Sequence, residues 1–175
     1  MKVILISGKA GHGKDTLAGY MKNFMEIRGK KVLIIHYGDL LKYICKSLFG
    51  WDGQKDDKGR SLLQYVGTEK VREIYPDYWV QFVRDMLYIF HKEWDYVLIP
   101  DVRFPNEIQG MASFNPYIIR VVRPGFNMLT EKQRKHPSET ALDGFDAPFL
   151  TVMNDGTLSA LEVEAYNVFN LICAD

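Results

Sequence analysis

Gly8-Lys9-Ala10-Gly11-His12-Gly13-Lys14 spells G-x4-G-K. Glycines at this spacing let successive backbone N–H groups turn inward around an anion, and the lysine ammonium reaches terminal phosphates. The plain alternative is a tight strand-to-helix turn. Context favours phosphate binding, because the string follows the apolar run Val3–Ile6 and opens an amphipathic helix whose N-terminus presents its positive dipole end. Asp15 follows Lys14 where such loops usually place Ser or Thr on Mg²⁺, and Thr16 comes one step later. Asp15 has three roles open to it: metal ligand, holder of a metal-bound water, or acidic first-turn residue.

Other charged residues stand at strand ends. Asp101 closes the apolar run Tyr96–Ile99, the position from which an acid reaches Mg²⁺ or a metal-bound water; capping a helix before Pro105 is the competing role. Arg103, two residues on, should enter the same cleft at the carboxyl edge of a sheet. Glu107 is expected to orient Arg103 through a bidentate pair or to accept from a sugar, with an exposed helix face as the alternative. Arg120, Arg123 and Arg134 bracket a segment of weak periodicity, 124–148, that reads as a lid; Arg123 would neutralise transferring charge when it closes, or pair with a surface acid. His136, Ser138 and Glu139 are too close in sequence to converge as a catalytic triad and belong to that lid. Trp79 either stacks on a base or fills the core.

These residues need a scaffold, and the patterning supplies one. Buried strands are predicted at Val3–Ile6, Val32–Ile35, Tyr96–Ile99, Tyr117–Val122 and Leu150–Met153. Helices are predicted from Lys14 to Arg28, Leu40 to Phe49 with Leu48 on the apolar face, Leu62 to Ile74 around a break at Gly67-Thr68, Tyr78 to Glu93, Pro105 to Ser113 and Leu158 to Cys173. Residues 50–59 read as a mobile Gly-rich loop. Strands alternating with helices argue for an α/β fold with a five-stranded parallel sheet flanked by helices, in one domain over 1–175.

Composition narrows the function classes. Apolar residues at 47% and charged residues at 25% describe a globular chain rather than a disordered or coiled-coil one. Lys+Arg and Asp+Glu both total 22, so an anionic partner must be met by local clusters; polymeric nucleic acid and membranes are not expected partners. Cys45 and Cys173 read as buried free thiols, no signal-peptide pattern is present, and a cytoplasmic setting is expected. Self-association as a homodimer is left open.

The string Gly8 to Thr16 resembles the G-x4-GKDT loop of phage-type deoxynucleoside monophosphate kinases. Further blocks agree in order: Arg60-x3-Gln64-x2-Gly67-Thr68, the aromatic block at Tyr78-Trp79-Val80, Pro100-Asp101-x-Arg103, an acid at Glu107, Val121-Val122-Arg123-Pro124-Gly125, and Asn154-Asp155-Gly156. The resemblance implies a P-loop kinase fold, with ATP and Mg²⁺ as cofactors and a deoxynucleoside 5′-monophosphate as the small-molecule acceptor; a phage-encoded chain would act in host cytoplasm. By resemblance, Gly8, Gly11, His12, Gly13, Lys14, Asp15, Thr16, Arg123 and Asn154 lie on the ATP side. Arg60, Gln64, Gly67, Thr68, Trp79 and Glu107 line the acceptor site within about 39–80 and beyond it, Asp15 and Asp101 face the metal, and Lys14, Asp101 and Arg103 support transfer. This chain is shorter than other members before the R-x3-Q block. Two rival readings are a P-loop switch or ATPase that binds without transfer, and a kinase of another phosphorylated acceptor.

Overall fold

The computed structural model describes residues 1–173. Five parallel strands form one sheet in the order β2-β3-β1-β4-β5: β1 Lys2–Ser7, β2 Val32–Ile34, β3 Tyr96–Val102, β4 Tyr117–Val122 and β5 Leu150–Met153. This is the five-stranded parallel α/β sheet expected from the alternation of strands and helices. β1 is central and hydrogen-bonded on both sides, so its side chains must be apolar on both faces. Ile4 and Ile6 join a core with Leu17, Met21, Leu161 and Phe169, while Val3 and Leu5 join a second with Val80, Val83, Ile99 and Met111. Two helical layers therefore clamp the strand that feeds the phosphate loop.

On the first face lie α1 (Lys14–Ile27) and α8 (Leu158–Cys173). α1 begins as predicted and stops where Gly29, at φ +73°, takes a left-handed conformation. α2 (Gly38–Phe49), α3 (Asp57–Gln64), α4 (Tyr78–Ile89) and α5 (Pro105–Gln109) belong to the other side of the chain path. α6 (Glu131–Arg134) and α7 (Pro137–Thr140) are single turns within the expected lid.

Several expectations need correction. The polar run does not stay a loop to residue 59: Asp56 accepts from the Gly59 N–H at 2.7 Å and caps α3, so its acids start a helix. Gly67-Thr68 makes no break. The helix widens instead into a π-helical stretch over Tyr65–Arg72 and ends as α-helix at 73–74. Gly67 earns its place by contact, since a Cβ there would stand 2.6 Å from Leu41 Cδ2 on α2. Pro100 and Asp101 do not end β3 but lie within it, at a register shift against β1 between the Leu5–Ile99 and Ser7–Val102 pairs. A proline in an interior strand is tolerated at such a bulge because no ladder N–H is required there. Leu48 points outward, Phe82 and Phe90 are only partly covered, α4 ends at Ile89, α5 ends at Gln109 before a separate turn at Ala112–Phe114, and Cys173 is half-buried. Cys45 is buried as expected.

α5 is held against α4 by close approach. A Cβ at Gly110 would lie 2.3 Å from Val80 Cγ1. Gly110→Ala should therefore destabilise the fold by about 1–3 kcal/mol, the usual range for overpacking, and Val80→Ala in the same chain should recover part of the loss through non-additive coupling. Urea unfolding of the two single variants and the double variant measures this.

Candidate active site

β1 ends at Ser7 and the chain turns through Gly8, Gly11 and Gly13, at φ +147°, +76° and +96°. These angles favour glycine, and space enforces the choice: a Cβ at Gly8 would sit 2.5 Å from the Val121 carbonyl oxygen, and one at Gly13 would sit 2.7 Å from Asn154 Nδ2. The loop is thus pressed onto the ends of β4 and β5. Asn154 Nδ2 donates to the His12 carbonyl at 2.9 Å, and the Arg123 N–H donates to His12 Nδ1 at 3.2 Å. Burial lowers the His12 pKa, while the contact of Nδ1 with the Val121 carbonyl at 3.3 Å opposes the shift. Asn154 and Arg123 are therefore buttresses of the loop, with the Arg123 guanidinium laid 4.1 Å over the Phe126 ring.

Lys14 is buried, and its ammonium donates to the Gly8 and Lys9 carbonyls at 2.7 and 2.8 Å. Burial, and next the Arg103 charge, lower its pKa to about 8. A desolvated ammonium among other cations is a site prepared for negative charge.

Lys14 opens onto a cavity of about 440 Å³ at the carboxyl edge of the sheet, where chain connections switch from β3 on one side of β1 to β4 on the other. The lining includes Gly11, Asp15, Arg60, Gln64, Gly67, Thr68, Trp79, Asp101, Arg103 and Glu107, so residues from the loop, α3, the π-helical stretch, α4, β3 and α5 come together. Arg60 and Lys55 line it with no carboxylate partner among the described residues. Gly13, Thr16, Arg123 and Asn154 stand outside its lining, and Gly8 and His12 face a smaller cavity of about 170 Å³ on the β4 side.

The partners of the charged groups differ from those expected. Glu107 is 2% exposed and takes the Arg72 guanidinium, not that of Arg103; it also accepts the Arg103 and Phe104 N–H groups at 2.6 and 3.1 Å, capping its own helix. Burial is the main reason its pKa rises to about 7, with Arg72 opposing the shift. Arg103 pairs instead with Glu139 of α7 and donates to the Ser138 carbonyl at 3.0 Å. Asp101 caps α2 rather than α5: its two oxygens accept the Tyr37 and Gly38 N–H groups, each at 2.9 Å. Trp79 is 2% exposed, with its indole N–H donating to the Gly67 carbonyl at 3.0 Å, so it belongs to the cavity wall and core rather than presenting a free stacking face.

Asp15 meets His36, whose Nε2 lies 2.8 Å from Oδ1. That contact is the main cause holding the Asp15 carboxyl below its ordinary pKa. Burial alone would lower the His36 pKa, yet Asp15, Asp101 and Asp39 together raise it. Arg72, Glu139 and His36 were not singled out for these roles in the sequence, because each is assigned by a partner at least 21 residues away.

Mg²⁺ is ordinarily held by one or two carboxylates with phosphate oxygens and waters. Asp15 and Asp101 line the cavity beside Lys14, and each Asp101 oxygen accepts one N–H, leaving a second lone pair. The donor set fits.

Similarity to known proteins extends over most of the chain. A family model described as deoxynucleotide monophosphate kinase matches residues 41–164. A putative deoxynucleotide monophosphate kinase of Acanthamoeba polyphaga mimivirus is 29% identical over 185 residues, covering 90% of this chain and 91% of that protein. The deoxynucleotide monophosphate kinase of Enterobacteria phage T4 is 30% identical over 115 residues, covering 65% of this chain and 46% of that protein, so the match spans less than half of the phage enzyme. Among solved structures, the APS kinase CysC of Mycobacterium tuberculosis is similar with a TM-score of 0.49 at 13% identity, covering 98% of this chain and 96% of that one. No helix among the described residues is long and apolar enough to cross a membrane. Because the matched span runs from α2 into α8 and takes in most of the cavity wall, the chain belongs to the deoxynucleotide monophosphate kinase family.

Proposed function

We propose that this chain transfers the γ-phosphoryl group of ATP to the phosphate of a deoxynucleoside 5′-monophosphate, giving the diphosphate and ADP. One observation carries the reading: a glycine loop with a desolvated lysine opens onto the same cavity as Arg103 and as Arg60 and Lys55, which have no carboxylate partner among the described residues. Two polyanions brought end to end need positive charge where their phosphates meet, and positioning with charge stabilisation is the protein's main contribution to phosphoryl transfer.

In this reading an acceptor phosphate oxygen attacks the γ-phosphorus in line, the bond to the bridging β–γ oxygen breaks, and its electron pair leaves on ADP. No covalent phosphoenzyme is required. Lys14 exchanges the loop carbonyls for β- and γ-phosphate oxygens. Arg103 spans donor and acceptor. Arg60 takes the acceptor phosphate, while Gln64, Gly67 and Thr68 border its sugar and base against the Trp79 wall. Glu107 acts through others, fixing the Arg103 backbone and the Arg72 guanidinium. Asp15 and Asp101 would hold Mg²⁺, which when bound neutralises charge on the donor phosphates.

Lys14→Ala should abolish transfer while circular dichroism stays native; turnover near wild type in a coupled ADP assay with a panel of deoxynucleoside monophosphates would refute the loop's role. In the same assay, slow ADP release indifferent to any acceptor would favour a switch or ATPase. Arg103→Ala should cost kcat on the order of 2–4 kcal/mol, the scale of one lost transition-state donor. An effect confined to the KM for ATP would restrict Arg103 to binding the donor.

The Lys14 pKa of about 8 sets a pH signature. Bound phosphate favours the ammonium, so triphosphate binding takes up a proton as pH rises through 8, and apparent affinity weakens there; below about pH 7 the lysine is already charged and uptake ceases. Calorimetry in buffers of different ionisation heat measures the uptake, and Lys14→Ala should remove it.

A further inference from the structure

Glu139 was expected only as part of a lid, yet its side chain is 6% exposed and lies at the phosphate loop itself. One carboxylate oxygen accepts the Ala10 N–H at 3.0 Å, and the other takes the Arg103 guanidinium. Lys9 binds the Glu139 carbonyl and the Asp143 carboxylate, and Arg120 donates to the Leu142 carbonyl at 3.0 Å. Three cations and a loop amide thus converge on residues 138–143. Glu139 borders both cavities and stands between them.

We propose that Glu139 is an internal stand-in for a donor phosphate, seated on the loop and Arg103 until a triphosphate displaces it. This rests on the reading that the loop takes ATP. A carboxylate and a phosphate oxygen make the same charge-assisted bonds to an N–H and a guanidinium, and two anions cannot share one seat. The fraction of molecules with Glu139 seated is closed to the donor, so apparent affinity falls by that fraction. The Glu139 charge also offsets that of Arg103 at Lys14, where Arg103 lowers and Glu139 raises the lysine's pKa. The lid's resting anchor and the donor are therefore competitors, and donor arrival frees residues 138–143 together with Arg103.

Calorimetry on the full chain with Mg²⁺ and a non-hydrolysable ATP analogue tests this. Glu139→Gln keeps the shape and removes the charge, so the analogue should bind roughly three- to tenfold tighter, with a lower KM for ATP and kcat nearly unchanged at saturation. Hydrogen exchange at the Ala10 amide of the nucleotide-free protein should quicken. Glu139→Asp, too short to bridge both partners, should shift affinity the same way and serves if the glutamine variant fails to fold. If wild type binds the analogue and the variants bind it equally or more weakly, the stand-in is refuted while the ATP reading survives. A collapse of kcat with unchanged affinity would instead place Glu139 in the transfer machinery and refute it too. If wild type takes up no analogue, both fall.

Discussion

Concentrated positive charge at the end of β1 is the constraint from which most of the site follows. Lys14 is desolvated, Arg103 lies within its field, and the loop's glycines press its backbone against the ends of β4 and β5. Without a polyphosphate such a cluster must find negative partners within the chain, since a buried charge with no partner costs several kcal/mol. The pairings do this: Lys14 folds onto loop carbonyls, Arg103 onto Glu139, and Arg72 onto Glu107. The first two of these interactions sit where nucleotide phosphates belong in the proposed reaction, so the molecule solvates its own site.

Rigidity comes from the layers around that cluster. β1 is sealed by an apolar core on each face, and its two parallel neighbours deliver Asp101 and Arg103 on one side and the Arg123 backbone on the other. The bulge at Pro100 is what turns Asp101 toward the start of α2, where its two oxygens hold successive amides. Fold and site meet in that carboxylate. It ties β3 to α2 across the cavity, and in the proposed reaction it also faces the metal.

Much of the scaffold was legible in the residues. Apolar runs marked all five strands within a residue or two apart from the β3 end, and the glycine loop was evident from its string and setting. What escaped was decided at long range. Nothing near Glu107 says that its guanidinium partner comes from residue 72, and nothing in His136–Glu139 says that the glutamate reaches the phosphate loop rather than solvent. Local rules erred where tertiary contact overrode them: proline inside β3 was permitted by a bulge, and Gly67, which read as a helix breaker, proved to be a contact point for Leu41. Trp79 was undecided in sequence because core and platform share one pattern; in the fold it is buried in the cavity wall with its indole N–H on the Gly67 carbonyl.

The wide turn from Tyr65 to Arg72 has an implication for how this wall of the cavity tolerates change. A π-helical stretch amounts to surplus backbone accommodated within an ordinary helix. Excising one residue there would let the coil tighten toward a regular helix, shifting the residues inside the wide stretch, Arg72 among them, relative to Phe104 and Glu107 while the flanking helical segments keep their register. Aim on this side is thus encoded in the number of peptide units as well as in their identity.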